Sequence, residues 1–543
     1  MTPPEMTDAQ SDSLFPEGEP RVRIKSLTVN DGTTAPLPSV GVTCVVGANN
    51  VGKSQLLRDI SYLDSQQVMT IVLKHLELES YPTNISDYQA TNWLSRNDIA
   101  SPIDNPPEMA PVYSSVLDGR QTTARDFASW WNQNPKNIYQ IGGFFFWHAS
   151  AGSLSMWASQ QFSPGMEPKP LIARVFADGL LDKALSDLCE ETFGFPLTFD
   201  RWTSFKYRIG TVSGSVPPAN RPDIEYTHAV ALLPALENQG DGVRSFLGLA
   251  LVAIASKTGV LLLDEPEAFL HPGQARAMGR WIADTAAEQD KQIIIATHDR
   301  DFVLGVLEAN REATMIRLTR QENINSIHKL DWSAIQELWA DPVLRYSNLL
   351  QGLFHDMVIV CEGDADCRFY GAVLDSLYSS GPERAIVHNT LLVPSGGKDR
   401  MHTMIKAIKC IGGSPRIIAD FDFLNDKRRL EAIVEAMGAV WDTEIENCFN
   451  KMTASSNQIE LWKGLKKLGL GGLRGDALLG AKELLAKLTS IGIIIVPCGE
   501  MEDIDRTISS KKSDYWVSEM LEKKNHETSP IAKELVQAAT ASL

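Results

Sequence analysis

At 543 residues the chain is long enough for two or three domains, each with its own core. Its 43% hydrophobic and 22% charged residues are ordinary for a globular protein, and a net charge of −17 argues against coating nucleic acid by bulk attraction, leaving only a local basic groove for such contacts. The chain lacks an apolar run of about 18 residues, which argues against a membrane span; it also lacks a secretory signal pattern at its start, and its seven scattered cysteines contain no C-x-x-C pair, which together point to the cytoplasm.

The first 20 residues read as a polar, Pro-containing tail. Residues 21–46 alternate and then turn apolar (RVRIKSLTV, then SVGVTCVVG), predicting strands that lead into a Gly-rich loop, after which QLLRDISYL begins a helix. Residues 65–225 carry no clear fingerprint but hold six of the 12 tryptophans: Trp93, Trp130, Trp131, Trp147, Trp157 and Trp202. This stretch reads as a largely helical insertion, its indoles buried either in an ordinary core or in a dimer interface. From 245 the pattern turns regular: helix SFLGLALVAIA, strand GVLLLDE, helix PGQARAMGRWIADTAAE, strand KQIIIATHD. Apolar strands alternating with helices predict a parallel sheet. Residues 333–355 read as a helical link. A second α/β unit follows, with strands MVIVCEG, TLLVPSGG, RIIADFD and IGIIIVPCGE and a helical C-terminus. The fold class is therefore α/β throughout.

Between the first apolar strand and helix stands Gly47-Ala48-Asn49-Asn50-Val51-Gly52-Lys53-Ser54, a G-x-x-x-x-G-K-[ST] loop. Gly47, Asn49, Asn50 and Gly52 let backbone N–H groups close around phosphates at a helix N-terminus. Lys53 reaches the β- and γ-phosphates and Ser54 ligates Mg²⁺. Asp264, ending the strand GVLLLDE, holds Mg²⁺ directly or through water, and Glu265 polarises the attacking water. His298, ending IIIATHD, is a candidate γ-phosphate contact. ATP is the expected nucleotide. This set resembles the ABC-type ATPases, in the branch of chromosome-maintenance and recombination ATPases. Their signature, which contacts the γ-phosphate bound by the opposite protomer, corresponds here to Gln239-Gly240-Asp241-Gly242-Val243-Arg244-Ser245, with Asp241 departing from the usual Ser-Gly-Gly-Gln wording. The resemblance implies that Gly240 and Gly242 complete a nucleotide site across a homo-oligomer, a dimer or higher.

In the second unit Glu362 ends one apolar strand and Asp420 and Asp422 another. A D-x-D at a strand end is expected to put both carboxylates on one face, because side chains alternate with period two. Such a cluster needs a divalent cation, and hard oxygen ligands favour Mg²⁺ or Mn²⁺. Glu362-Gly363 followed by Asp420-Phe421-Asp422 resembles the TOPRIM (Rossmann-like) domain of topoisomerases, primases and nucleases. Joined to the ATPase set and to Gly499-Glu500-Met501-Glu502, it resembles the overcoming-lysogenization-defect (OLD) nucleases, which include the Gabija nuclease subunit and some retron effectors. That resemblance covers about residues 21–540, matching the insertion by position only, and implies an ATPase domain at 21–345 and a TOPRIM nuclease domain at 346–543. It implies two metals, with Glu362 and Asp420 at one and Asp366, Asp422, Glu500 and Glu502 around the second. It also implies a lysine that stabilises the transition state: Lys533 in SPIAKELVQ, with Lys398 in SGGKDR as the rival. The stretch LWKGLKKLGLGGLRG, with Lys463, Lys466, Lys467 and Arg474, is either a DNA-backbone track or a solvated helix face.

The expectation is an ATP-regulated, metal-dependent DNA endonuclease or nickase in bacterial antiphage defence. The alternatives are an ATP-dependent DNA clamp or sensor with an idle TOPRIM fold, an effector released from a partner before it cuts, and RNA cleavage in the manner of TOPRIM maturases. The partner classes implied are DNA, further copies of the chain, a reverse transcriptase with its RNA–DNA hybrid, or a helicase-like protein, with no membrane.

Overall fold

The computed structural model describes residues 19–62, 70–96, 100–103, 110–115, 120–133, 138–158, 171–214, 216–218, 221, 223–256, 258–309, 313–330, 335, 348–454, 458–510 and 512–541. Nearly all of the expected tail and most of the expected 333–355 helical link lie outside these residues. The chain divides into two compact units with the main break between Lys329 and Leu330, Gly47–Asn49 grouping with the second.

The core of the first unit is a six-stranded sheet, in the order Ile324–Leu330, Thr314–Gln321, Gly41–Val46, Gln292–Ala296, Val260–Asp264, Phe146–Ser150. The last five strands run parallel. Every residue of Gly41–Val46 and of Gln292–Ala296 is buried, as a strand covered on both faces demands, and that is why these segments read as unbroken apolar runs. Helices Lys53–Tyr62, Asp241–Ala255, Pro272–Glu288 and Arg300–Glu308 accompany the sheet.

The 65–225 region differs from the largely helical insertion expected. Seven strands alternate with its helices, and two of them belong to the surrounding fold. Leu73–Tyr81 pairs antiparallel with Arg21–Val29, and Phe146–Ser150 lies parallel to Val260–Asp264, with Ser150 opposite Asp264. Strands of three to five residues, such as Gln121–Thr123, are too short to show a period in sequence. Trp93, Trp131 and Trp147 are buried within this unit, Trp93 stacking on Phe127 and Phe145 at ring-centroid distances of 5.1 and 5.0 Å. For those three the ordinary core holds. Trp130 and Trp202 are half-buried, and the side chain of Trp157 is outside the described set.

The second unit is built on a parallel four-stranded sheet ordered Thr390–Pro394, Met357–Cys361, Ser414–Ala419, Ile493–Ile495. Val358, Val360 and Ile417 enter one core with helices Met401–Cys410, Lys427–Ala436 and Gly475–Ser490; Ile359, Cys361 and Ile418 enter the other with helices Asp364–Leu377, Ser513–Glu522 and Pro530–Thr540. Alternate residues thus feed opposite faces. The carboxyl ends of the strands, where open α/β sheets hold their ligands, carry Glu362 and Asp420. Among the described residues, no helix is long and apolar enough to cross a membrane.

Candidate functional site

In the Gly-rich loop Gly47 (φ 148°), Asn50 (φ 64°) and Gly52 (φ 100°) have positive φ, which glycine adopts freely and asparagine tolerates. Lys53 opens the following helix and is 7% exposed. Burial pushes its pKa down, while the fields of Glu265, Asp264 and Glu267 oppose the shift, so the ammonium stands among three carboxylates. Ser54, next on the helix, is half-buried. Asp264 ends its strand with Oδ1 buried and without a hydrogen-bond partner. A buried orphan carboxylate oxygen beside a lysine and a phosphate-binding loop is the donor chemistry that Mg²⁺ with a nucleotide would satisfy.

Glu265 follows in a left-handed conformation (φ 47°), its N–H donating to Ala296 O at 2.9 Å. This turn, a strained one for a residue with a Cβ, brings Glu265 Oε1 to 2.8 Å from His298 Nδ1. The contact lowers the Glu265 pKa and raises that of His298. Two residues on, Glu267 is 4% exposed and accepts from Thr297 Oγ1 at 2.6 Å; burial pushes its pKa up to about 7. The loop after one strand is thereby tied twice to the loop after its neighbour. In the 239–245 stretch Gly240 caps the helix Asp241–Ala255, Asp241 pairs with Arg244, and a Cβ on Gly242 would stand 2.5 Å from Phe269 O. Packing within this chain therefore already requires the second glycine.

In the second unit Glu362, Asp420 and Asp422 each offer a carboxylate oxygen, all within 4.8 Å of one another. The route to this convergence differs from the period-two expectation. The strand stops at Ala419, Asp420 is extended (φ −64°, ψ 160°), and Phe421–Asn425 winds into a 3₁₀ turn that carries Asp422. The turn, and not strand alternation, unites the two aspartates. Asp420 is fastened by Met501 N–H donating to Oδ1 at 2.9 Å, and its own N–H donates to Glu362 Oε1 at 3.2 Å.

Burial pushes Glu362 up to about 7 and Asp366 up to about 6; Asp420 goes well above its usual range through burial and then the charges of Glu362 and Asp366. Such a set holds its charge only against cations. Lys398 supplies one, paired with Asp422 and 3.5 Å from Glu362 Oε2. Lys466 supplies another, its Nζ lying 3.1 Å from Glu500 Oε1 and 3.6 Å from Asp422 Oδ2. Carboxylate-only donors fit a hard divalent ion such as Mg²⁺ or Mn²⁺.

The remaining acids surround this trio. Asp366 Oδ2 accepts the Gly363 N–H at 3.0 Å, Glu500 is linked to Asp422 through Lys466, and Glu502 Oε1 accepts from Ser513 Oγ at 2.6 Å. Lys533 is half-buried on the helix Pro530–Thr540 and makes none of the ion pairs seen at the trio, which come from Lys398 and Lys466.

A family model described as "AAA domain, putative AbiEii toxin, Type IV TA system" matches residues 196–305, the stretch bearing Asp264, Glu265 and His298. The Old nuclease of Escherichia phage P2 is 27% identical over 209 residues, 37% of this chain and 33% of the relative. The OLD nuclease of Thermus scotoductus is 24% identical over 167 residues, 29% of this chain and 30% of the relative. Over these stretches the chain is similar to the OLD nucleases. It spans about a third of the length of these two relatives. An uncharacterized protein of Methanocaldococcus jannaschii is 30% identical over 95 residues, 17% of this chain and 83% of that one.

Three residues of this chain escaped the motif reading. Glu267 was visible as a second acid in Asp264-Glu265-Pro266-Glu267, but only burial and the Thr297 bond single it out. Thr297 precedes His298 and carries no motif of its own. Lys466 was visible as one cation of a basic stretch, and its contact with Glu500 arises from folding alone.

Proposed function

We propose that the chain is an ATP-regulated, divalent-metal-dependent DNA endonuclease or nickase, acting in the cytoplasm of a bacterium as part of antiphage defence. The observation that carries this reading is the convergence of Glu362, Asp420 and Asp422 at the carboxyl edge of a parallel sheet, with Lys398 and Lys466 paired to Glu362 and Asp422. We read this unit as a TOPRIM domain and the first as an ABC-type ATPase that works as a homo-oligomer.

Lys53 and Ser54 would hold the nucleotide and its Mg²⁺ with Asp264. Glu265, oriented by His298, would take the proton of the attacking water. Glu362, Asp420 and Asp422, with Asp366, Glu500 and Glu502 around them, would hold the nuclease metals. Divalent ions there would stabilise the attacking and leaving oxygens of a phosphodiester. Lys398, already against the carboxylates, is better sited than Lys533 to meet the charge that develops on the phosphate. The names of the two OLD relatives support nuclease action on nucleic acid. DNA as the substrate and control by a partner with an RNA–DNA hybrid or by a helicase-like protein belong to this proposal.

The test is cleavage of supercoiled plasmid by the purified protein in Mg²⁺ or Mn²⁺, with and without ATP, beside Asp420→Ala. Nicking or linearisation by the wild type that the substitution abolishes is expected. Cutting that survives Asp420→Ala overturns the reading.

A further inference from the structure

The basic helix Gln458–Leu468 is docked at the rim of the acidic centre through contacts that only glycine permits. Gly469 (φ 50°) would bring a Cβ to 2.1 Å from Pro497 O, and Gly499 (φ 124°) would bring one to 2.7 Å from Lys466 O. Leu470 N–H donates to Pro497 O at 2.9 Å, and Arg506 Nη2 donates to Lys467 O at 2.8 Å. The end of the helix is thereby fixed against the turn that delivers Glu500.

The two lysines at the centre differ in position. The Lys398 side chain is 21% exposed and sits between Glu362 and Asp422, whereas that of Lys466 is 49% exposed and bridges Asp422 to Glu500 from the open side. Lys463, Lys467 and Arg474 are exposed along the same segment. In a chain of net charge −17 this segment gathers four cations, and one of them, Lys466, reaches Asp422 of the one carboxylate trio found among the described residues. A half-exposed ion pair contributes little to stability, so stability alone does not account for a helix end built so closely onto the site.

We propose that Lys466 is a phosphate-contacting residue of the nuclease centre, and that the Gln458–Leu468 helix is the track for the sugar–phosphate backbone of the cleaved nucleic acid. Without substrate its ammonium rests on Glu500 and Asp422. When a strand enters, the ammonium moves to the phosphate, leaving both carboxylates to the metal. The inference rests on the nuclease reading and adds its substrate-binding surface.

The test compares wild type, Lys466→Met and Lys466→Arg in three measurements. The first is fluorescence anisotropy with a labelled 20-base-pair duplex in Ca²⁺ across a salt series. The second is Mn²⁺ binding by electron paramagnetic resonance, and the third is plasmid cleavage. Lys466→Met is expected to lower the slope of log affinity against log salt by about 1. It should slow cleavage roughly 10²-fold and leave Mn²⁺ affinity equal or higher, while Lys466→Arg restores the salt slope. An unchanged slope in Lys466→Met overturns the proposal, and so does a parallel loss of Mn²⁺ binding, which would make the lysine a support for the carboxylates. A wild type that cuts nothing while the slope still falls by about 1 sinks the nuclease reading and leaves the phosphate contact standing.

Discussion

Glu265 and His298 stand 2.8 Å apart because a left-handed residue ends one strand and its neighbouring strand ends level with it. If Glu265 is the base, Glu265→Gln keeps the hydrogen bond and loses the proton acceptor. ATP turnover should fall roughly 10²–10⁴-fold, with nucleotide binding, read by a fluorescent ATP analogue, retained. Undiminished turnover would remove Glu265 from the chemistry. Glu267 poses a different problem, since it is buried with Oε2 unpartnered and its pKa is pushed from 4.5 up to about 7. The folded state holds that proton more tightly than the unfolded chain. Stability is therefore lost as pH rises from about 4.5 through about 7, by up to about 3 kcal/mol at 1.36 kcal/mol per unit. Glu267→Gln removes the dependence and should gain stability relative to wild type across that window in urea unfolding. Parallel curves for the two proteins would contradict it.

Among elements, the helix pair Pro272–Glu288 and Arg300–Glu308 shows how closely the first unit is fitted. Ideal Cβ atoms on Gly279 and Gly305 would stand 2.2 Å from Phe302 O and 2.0 Å from Arg276 O, so the helices cross backbone to backbone. Arg276 Nε donates to Glu308 Oε2 at 2.8 Å beside the crossing. Gly305→Ala forces the helices apart and should cost about 1–3 kcal/mol, seen as a lowered melting temperature. Because the second helix begins two residues after His298, ATP turnover should fall with it. A variant that melts with the wild type would show that the crossing is loose. The helix Pro272–Glu288 was legible in the sequence, and so were the strands 41–46, 260–264, 292–296, 357–361 and 414–419, since strands covered on both faces read as apolar runs; the helix Arg300–Glu308 was not among the expected elements. The Asp420–Asp422 turn was not, because a D-x-D reads alike on a strand and on a 3₁₀ turn.

At the scale of the whole molecule, the proposed metal centre should couple occupancy to folding. Like charges crowded into a buried cluster destabilise the metal-free protein, and a divalent ion that binds only the folded form adds about 2.7 kcal/mol at a hundredfold excess over its Kd. Mn²⁺ should therefore raise the melting temperature of the wild type. Glu362→Gln combined with Asp420→Asn should melt higher than metal-free wild type and show no Mn²⁺ response. A full response in that double variant would put the stabilising ion elsewhere.

The sequence by itself determined the α/β class, the phosphate loop, the strand-end acids and the family resemblance. Each of these depends on residue types at short fixed spacings, and local backbone geometry makes them readable. Only the tertiary structure decided which acids converge, that Lys398 and Lys466 and not Lys533 pair with them, and that Phe146–Ser150 joins the main sheet. Those pairings join residues tens to more than a hundred positions apart, and their closeness follows from which strands lie side by side, which no local pattern encodes.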